Sequence, residues 1–96
     1  MNRNDTALAL DATPRCMPGL EIRSAGSEQL VQNASRGQVH VLNALAGLVL
    51  RRCNGETRLS RIVDEIVATA AVDRSRAERD ILDVCADFRT KGLLIG

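Results

Sequence analysis

The chain has 96 residues and a formal net charge of +1, with 45% hydrophobic and 26% charged residues. This length allows one compact domain with a single core and excludes enzymes that need a cofactor domain beside a substrate domain. The balanced charge excludes a strong whole-protein attraction to nucleic acid or anionic lipid, and the single aromatic residue, Phe88, excludes stacking platforms for single-stranded nucleic acid.

The first 17 residues show no sustained hydrophobic periodicity. We predict a flexible tail over residues 1–17 and a folded domain over residues 18–96. The apolar run at residues 7–10 is too short for a signal-peptide core, and no later stretch approaches the roughly 20 apolar residues of a membrane span. We therefore expect a cytoplasmic protein that does not enter a membrane.

Three short segments separated by glycine-containing turns predict an antiparallel β-meander. In the third segment Val39 and Val41 alternate with Gln38 and His40. Because alternate side chains of a strand share a face, we expect the two valines to face the core and His40 to be exposed at the sheet edge. The three segments are Leu20–Ser24, Gln29–Asn33 and Gln38–Leu42.

The periodicity changes from two to about 3.6 at Asn43, a favourable N-cap residue. It predicts a first helix over residues 44–52, whose first seven residues carry no charge and are therefore expected to be buried. Gly47, in the middle of this helix, is suited to close contact with a neighbouring segment. A second, amphipathic helix is predicted to begin near Thr57 or Arg58.

The third helix is predicted from a capping box, in which Ser75 and Glu78 each satisfy an otherwise unpaired backbone N–H. It runs to about Lys91, and Gly92 follows as a terminating residue. The closing aliphatic residues 93–95 are expected to pack back on the domain. The predicted fold is α+β, of winged helix-turn-helix type, with a three-stranded antiparallel sheet followed by three helices.

The three cysteines, Cys16, Cys53 and Cys85, are widely spaced and form no Cys-x-x-Cys pair. This pattern is typical of reduced thiols, and we expect Cys53 and Cys85 to be small buried hydrophobic residues. A zinc site would require all three cysteines to converge with His40, an arrangement that the spacing does not favour. We therefore predict no metal and no cofactor.

The segment Val39–Ala46 reads VHVLNALA and is followed by the tripeptide Cys53-Asn54-Gly55. These residues resemble the signature of the PqqD-like family, in which a strand is followed by Leu-Asn, a helix and Cys-Asp-Gly. Members of that family are peptide-binding modules, also called recognition elements of ribosomally synthesised and post-translationally modified peptides. The resemblance covers about residues 14–95, with Asn54 in place of the usual Asp and Arg58 in place of a Ser or Thr helix cap. Further matches are Pro14, Pro18-Gly19, Ile62, Ile66, Asp80-Ile81 and Gly92-Leu93-Leu94.

The resemblance implies a non-catalytic module that binds the leader region of a ribosomally made precursor peptide and presents it to a modifying enzyme. Such an enzyme is a radical SAM protein in pyrroloquinoline quinone biosynthesis, or a maturation enzyme in lasso-peptide systems. The resemblance also implies that the leader adds as a strand to the edge of the third strand and lies beside the third helix.

Two flanks of the third helix border its core-facing stripe, which is formed by Ala77, Ile81, Val84, Cys85 and Phe88. One flank carries Leu82 and Ala86 between Arg79 and Arg89, and this apolar surface with basic borders suits a leader that combines Leu or Ile with Glu or Asp. The opposite flank carries Asp80, Asp87 and Lys91 and is predicted to be the poorer groove. The predicted peptide-binding residues are therefore Gln38, Val39, His40, Val41, Leu42, Arg79, Leu82, Ala86 and Arg89.

The main alternative is a winged-helix DNA-binding regulator, which the same elements and the arginines of the third helix suggest. Acidic residues on that helix bring its net charge close to zero, so little phosphate attraction remains and we predict no nucleic-acid partner. The unpaired edge of the third strand could also pair with a second copy of the chain. We therefore expect a monomer or a weak homodimer.

Overall fold

A computed structural model describes residues 9–95 of the chain. The strands are β1 (Arg15–Cys16), β2 (Leu20–Ala25), β3 (Glu28–Asn33), β4 (Gln38–Leu42) and β5 (Leu94–Ile95), and the helices are α1 (Ala44–Arg52), α2 (Leu59–Ala70) and α3 (Arg74–Thr90). Strands β2, β3 and β4 form an antiparallel sheet in that spatial order, and the three helices follow it in the chain. The predicted α+β class, with a three-stranded sheet before three helices, is confirmed.

The register of the sheet determines which side chains of β4 face the helices. Val31 in the central strand β3 is fully buried and pairs directly with His40. Because paired residues point to the same face, His40 and Leu42 lie on the core side and the valines between them lie on the other side. Val39 and Val41 are accordingly 61% and 56% exposed. The prediction that the two valines face the core is therefore wrong.

Helix α1 begins one residue after β4 and contacts the sheet through Gln29. The side-chain oxygen of Asn43 accepts a hydrogen bond from the backbone N–H of Ala46 at 2.8 Å, which confirms the predicted N-cap. Gly47 lies against the side chain of Gln29 in β3, and the oxygen of Gln29 accepts a hydrogen bond from Nη2 of Arg51 at 2.6 Å. These contacts hold the end of β4 at a defined distance from the helices.

Helix α3 begins two residues earlier than the capping box predicts, since that box places the N-cap at Ser75. Asp73 is the N-cap residue, and no side chain bonds the free backbone N–H groups there. The hydroxyl of Ser75 instead donates to the carboxylate of Asp73 at 2.9 Å, so it lies within the first turn and cannot serve as the cap. Ile81 and Phe88 on the core face of α3 are fully buried, as the apolar stripe predicts.

The segment before β2 is bonded to the rest of the domain over residues 10–17. Cys16 N–H donates to the carbonyl of Cys53 at 2.8 Å, and Met17 N–H donates to the carbonyl of Leu93 at the same distance. The described part of the predicted tail thus differs from a free segment, because the connection between α1 and α2, the start of α2 and the returning chain end all offer backbone partners to it. Residues 1–8 of that tail lie outside the described residues.

Leu93 and Leu94 pack back on the domain, as predicted, whereas Ile95 is 42% exposed. Leu93 is fully buried and Leu94 is nearly so, and β5 pairs with β1 in a small second sheet. Within residues 9–95, no helix is both long enough and apolar enough to cross a membrane.

Candidate functional site

Strand β4 is an edge of the three-stranded sheet. It pairs with β3 on one side, and no strand among residues 9–95 pairs with its other side. The backbone N–H and C=O groups along a free edge are a template for one further strand. The site therefore begins with a main chain that can accept an extended segment.

A groove of about 290 Å³ runs between this edge and α3. Leu42 and Phe88 are buried at its base, while Val41 is exposed and Val84 is half-buried at its sides. The groove therefore offers aliphatic surface next to the free strand edge. Its complete lining is Val41, Leu42, Asn43, Ala46, Asp83, Val84, Asp87, Phe88 and Lys91.

The structure brings only part of the predicted site together. Of the five predicted residues in β4, Val41 and Leu42 line the groove. None of the predicted residues of α3 lines it. Leu82 packs against the core and Arg89 is half-buried. Arg79 and Ala86 are exposed on the surface of the helix. The predicted α3 residues outside the lining are Arg79, Leu82, Ala86 and Arg89.

The opposite flank of α3, which the sequence ranks as the poorer groove, is the one that faces β4. The helical wheel identifies both flanks, but the choice between them depends on the side of α3 on which the sheet packs, and that is set by contacts distant in sequence. Val84 is the one sequence feature that indicates the correct flank, because it lies at the border between the apolar stripe and the acidic flank. The lining residues that the prediction missed are Asn43, Ala46, Asp83, Val84, Asp87, Phe88 and Lys91.

The charges in the groove are predominantly negative. The ammonium of Lys91 lies 2.8 Å from a carboxylate oxygen of Asp87, so these two charges offset each other. Asp83 forms no ion pair within the described part of the chain. A carboxylate without an ion pair among the described residues therefore stands on the α3 side of the groove.

His40 lies on the core side of β4 instead of at an exposed edge position. Its Nε2 atom is buried and has no hydrogen-bond partner among the described residues. This placement follows from its direct pairing with the buried Val31. The ring is therefore part of the layer between sheet and helices, and the prediction of an exposed edge histidine is wrong.

The outer face of the sheet carries a second aliphatic surface. Leu30 pairs with Val41, so their side chains lie next to each other on the face that points away from the helices. Leu30 and Val39 also line a shallow cavity of about 180 Å³. A strand added to β4 would meet aliphatic side chains on both of its faces.

The cysteines lie apart from the groove. Cys53 and Cys85 are buried, as predicted, and all three cysteines are free thiols. The hydrogen bond with Cys85, followed by burial, raises the pKa of the Cys53 thiol far above its usual range. In the described residues, no group of three or more His, Cys, Asp and Glu side chains is arranged to hold a metal ion.

Comparison with known proteins agrees with this architecture. The sequence matches the family model described as coenzyme PQQ synthesis protein D (PqqD) over residues 28–94. A search of curated proteins gave no significant match.

Three solved structures share the fold. The first, a lasso peptide synthetase B1 complexed with the leader peptide, is 20% identical, has a TM-score of 0.78, and covers 88% of this chain and 100% of its own. TbiB1 in complex with the TbiA(beta) leader peptide is 26% identical, with a TM-score of 0.76, over 85% of this chain and 95% of that one. The third is the solution structure of the PqqD truncation of Methylobacterium extorquens PqqCD, which is described as a functional and stand-alone recognition element. It is 24% identical, has a TM-score of 0.81, and covers 95% of this chain and 97% of its own.

Proposed function

The chain belongs to the PqqD family, and we propose that it binds the leader region of a ribosomally made precursor peptide and presents that peptide to a modifying enzyme. The observation that carries this proposal is the free edge of β4 beside an aliphatic groove. Two of the structural relatives were solved with leader peptides bound, which supports the same function here.

In the proposed complex, the leader adds as a fourth strand next to β4. Val41 and Leu42 then contact it from the sheet, and Val84 contacts it from α3. Leader side chains that point away from α3 would lie beside Val39 and Val41 on the outer face, because alternate residues of a strand face opposite sides. Of the site predicted from sequence, the β4 residues 38–42 remain in the proposal, and the α3 contribution moves to the Val84 flank.

The energetics require both the strand edge and the groove. Main-chain hydrogen bonds contribute about 0.5–1.5 kcal/mol each, so about four of them supply about 2–6 kcal/mol. A micromolar dissociation constant needs about 8 kcal/mol, and ordering a flexible leader adds to the requirement. Each fully buried aliphatic side chain contributes about 1.5–3 kcal/mol. One or two aliphatic leader residues in the groove would therefore complete a micromolar interaction.

We assign the covalent chemistry to the partner enzyme and a non-catalytic role to this chain. The partner is a peptide-modifying enzyme, such as a radical SAM protein or a lasso-peptide maturation enzyme. A second copy of the chain could pair through the same edge of β4, so a weak homodimer would compete with leader binding. We propose the cytoplasm as the place where this binding occurs.

The DNA-binding alternative gains no support from the comparisons. Helix α3 carries four arginines and four acidic residues, and Arg74 and Arg76 each form an ion pair with an acidic residue of the same helix. These pairs reduce the positive charge available to phosphate groups.

Calorimetric titration with short precursor peptides encoded beside the gene for this chain tests the proposed function. We expect one neighbouring precursor to bind saturably at a one-to-one ratio, and its leader region alone to retain that affinity. Binding that requires the core region, or an absence of saturable binding to every neighbouring precursor, would contradict the proposal.

A further inference from the structure

The charge of the groove determines which leaders it favours. Three ionisable side chains line it, two carboxylates and one ammonium. The Lys91 ammonium is held by Asp87 at 2.8 Å, whereas Asp83 is exposed and has no such partner within residues 9–95. The groove therefore has one net negative charge, located on the wall formed by α3.

This sign is the reverse of the one expected from the other flank of α3. Arg79, the exposed arginine on that flank, does not line the groove. Because charged groups next to a binding groove act mainly through complementarity, a cationic residue of the leader is favoured there and an anionic residue is disfavoured.

We propose that this groove selects a basic, apolar leader segment, in which aliphatic residues lie beside at least one lysine or arginine that pairs with Asp83. The proposal rests on the leader-binding function proposed above and specifies the class of peptide that this site takes. One exposed pair of opposite charges changes affinity by up to about fivefold, and replacement of the cation by an anion changes it by more.

Selection from a displayed library of random peptides tests the proposal and does not require the natural precursor. We expect the unmodified chain to enrich peptides in which Lys or Arg adjoins aliphatic residues, and to discriminate against Asp and Glu at those positions. In the most enriched peptide, replacement of the basic residue by Glu should weaken binding by about tenfold at low salt, and by less at high salt.

Two charge variants locate the effect. Asp83→Lys should remove or reverse the preference for basic peptides. Asp11→Lys makes the same change of charge at an exposed position outside the groove. This variant should therefore prefer basic peptides to the same extent as the unmodified chain. Circular dichroism establishes that both variants are folded.

The outcomes separate this proposal from the proposed function. Enrichment of acidic peptides, enrichment without charge preference, or a basic preference that persists in Asp83→Lys would overturn the charge assignment and leave peptide binding intact. If the unmodified chain enriches no peptide, the proposed leader-binding function fails, and the charge assignment fails with it.

Discussion

Gly47 in α1 lies directly against the side chain of Gln29 in β3. A Cβ atom at position 47 would stand 3.1 Å from Cβ of Gln29 and closer still to its Cγ, and the hydrogen bond from Arg51 prevents the Gln29 side chain from moving away freely. This contact sets the separation between α1 and the sheet, and because Gln29 pairs with Leu42 it also positions the end of β4.

Gly47→Ala should therefore lower the free energy of unfolding by about 1–3 kcal/mol, the usual range for inserting a group into a packed contact. In a helix with free space at that position, the same change would raise the free energy of unfolding by about 1 kcal/mol. The sign of the measured change therefore tests the contact. Thermal unfolding measures this change. Gln29→Ala provides the control, since Gly47→Ala should cost less in that background. Equal cost in both backgrounds would contradict the assigned contact.

The buried thiols should be chemically inert. The raised pKa of Cys53 keeps its thiol protonated at neutral pH, and the thiolate is the form that reacts. The same hydrogen bond lowers the pKa of Cys85, so the protection of Cys85 comes from its complete burial. We expect iodoacetamide to label only Cys16, which is half-buried, among the cysteines of the folded chain, and to label Cys53 and Cys85 after unfolding in guanidinium chloride. Mass spectrometry at successive times distinguishes the three sites. Labelling of Cys53 in the folded chain as fast as Cys16 would contradict this prediction.

The local features of the fold follow from the sequence more closely than the site does. The N-cap at Asn43, the buried thiols and the returning chain end depend on near neighbours or on hydrophobicity alone, and the structure confirms them. The orientation of β4 depends on its pairing with Val31, and the flank of α3 that faces β4 depends on how α3 packs against the sheet. Both are long-range properties. The alternation within β4, taken alone, favours the face that carries the two valines, and only the pairing with the buried Val31 reverses this assignment.

Truncation of Val84 separates the two flanks of α3 in a binding experiment. Val84→Ala removes aliphatic surface from the groove, and we expect the leader to bind about fivefold more weakly, which corresponds to about 1 kcal/mol. Val67→Ala is the matched control, because Val67 is also a half-buried helical valine that packs on the core, and it lies outside the groove. Titration calorimetry measures both. An equal loss in the two variants, or no loss in Val84→Ala, would contradict the assigned groove.

Methylation of the leader backbone tests strand addition without changing any side chain. In a strand added to β4, every second leader residue directs its N–H toward β4, and the residues between direct theirs away. Two synthetic leaders are needed, one N-methylated at odd positions and one at even positions over the bound segment. We expect one series to lose binding by at least about tenfold, because a donor is removed and a methyl group enters the edge, and the other to keep most of its affinity. Equal loss in both series, or no loss in either, would show that the peptide does not bind β4 through its main chain.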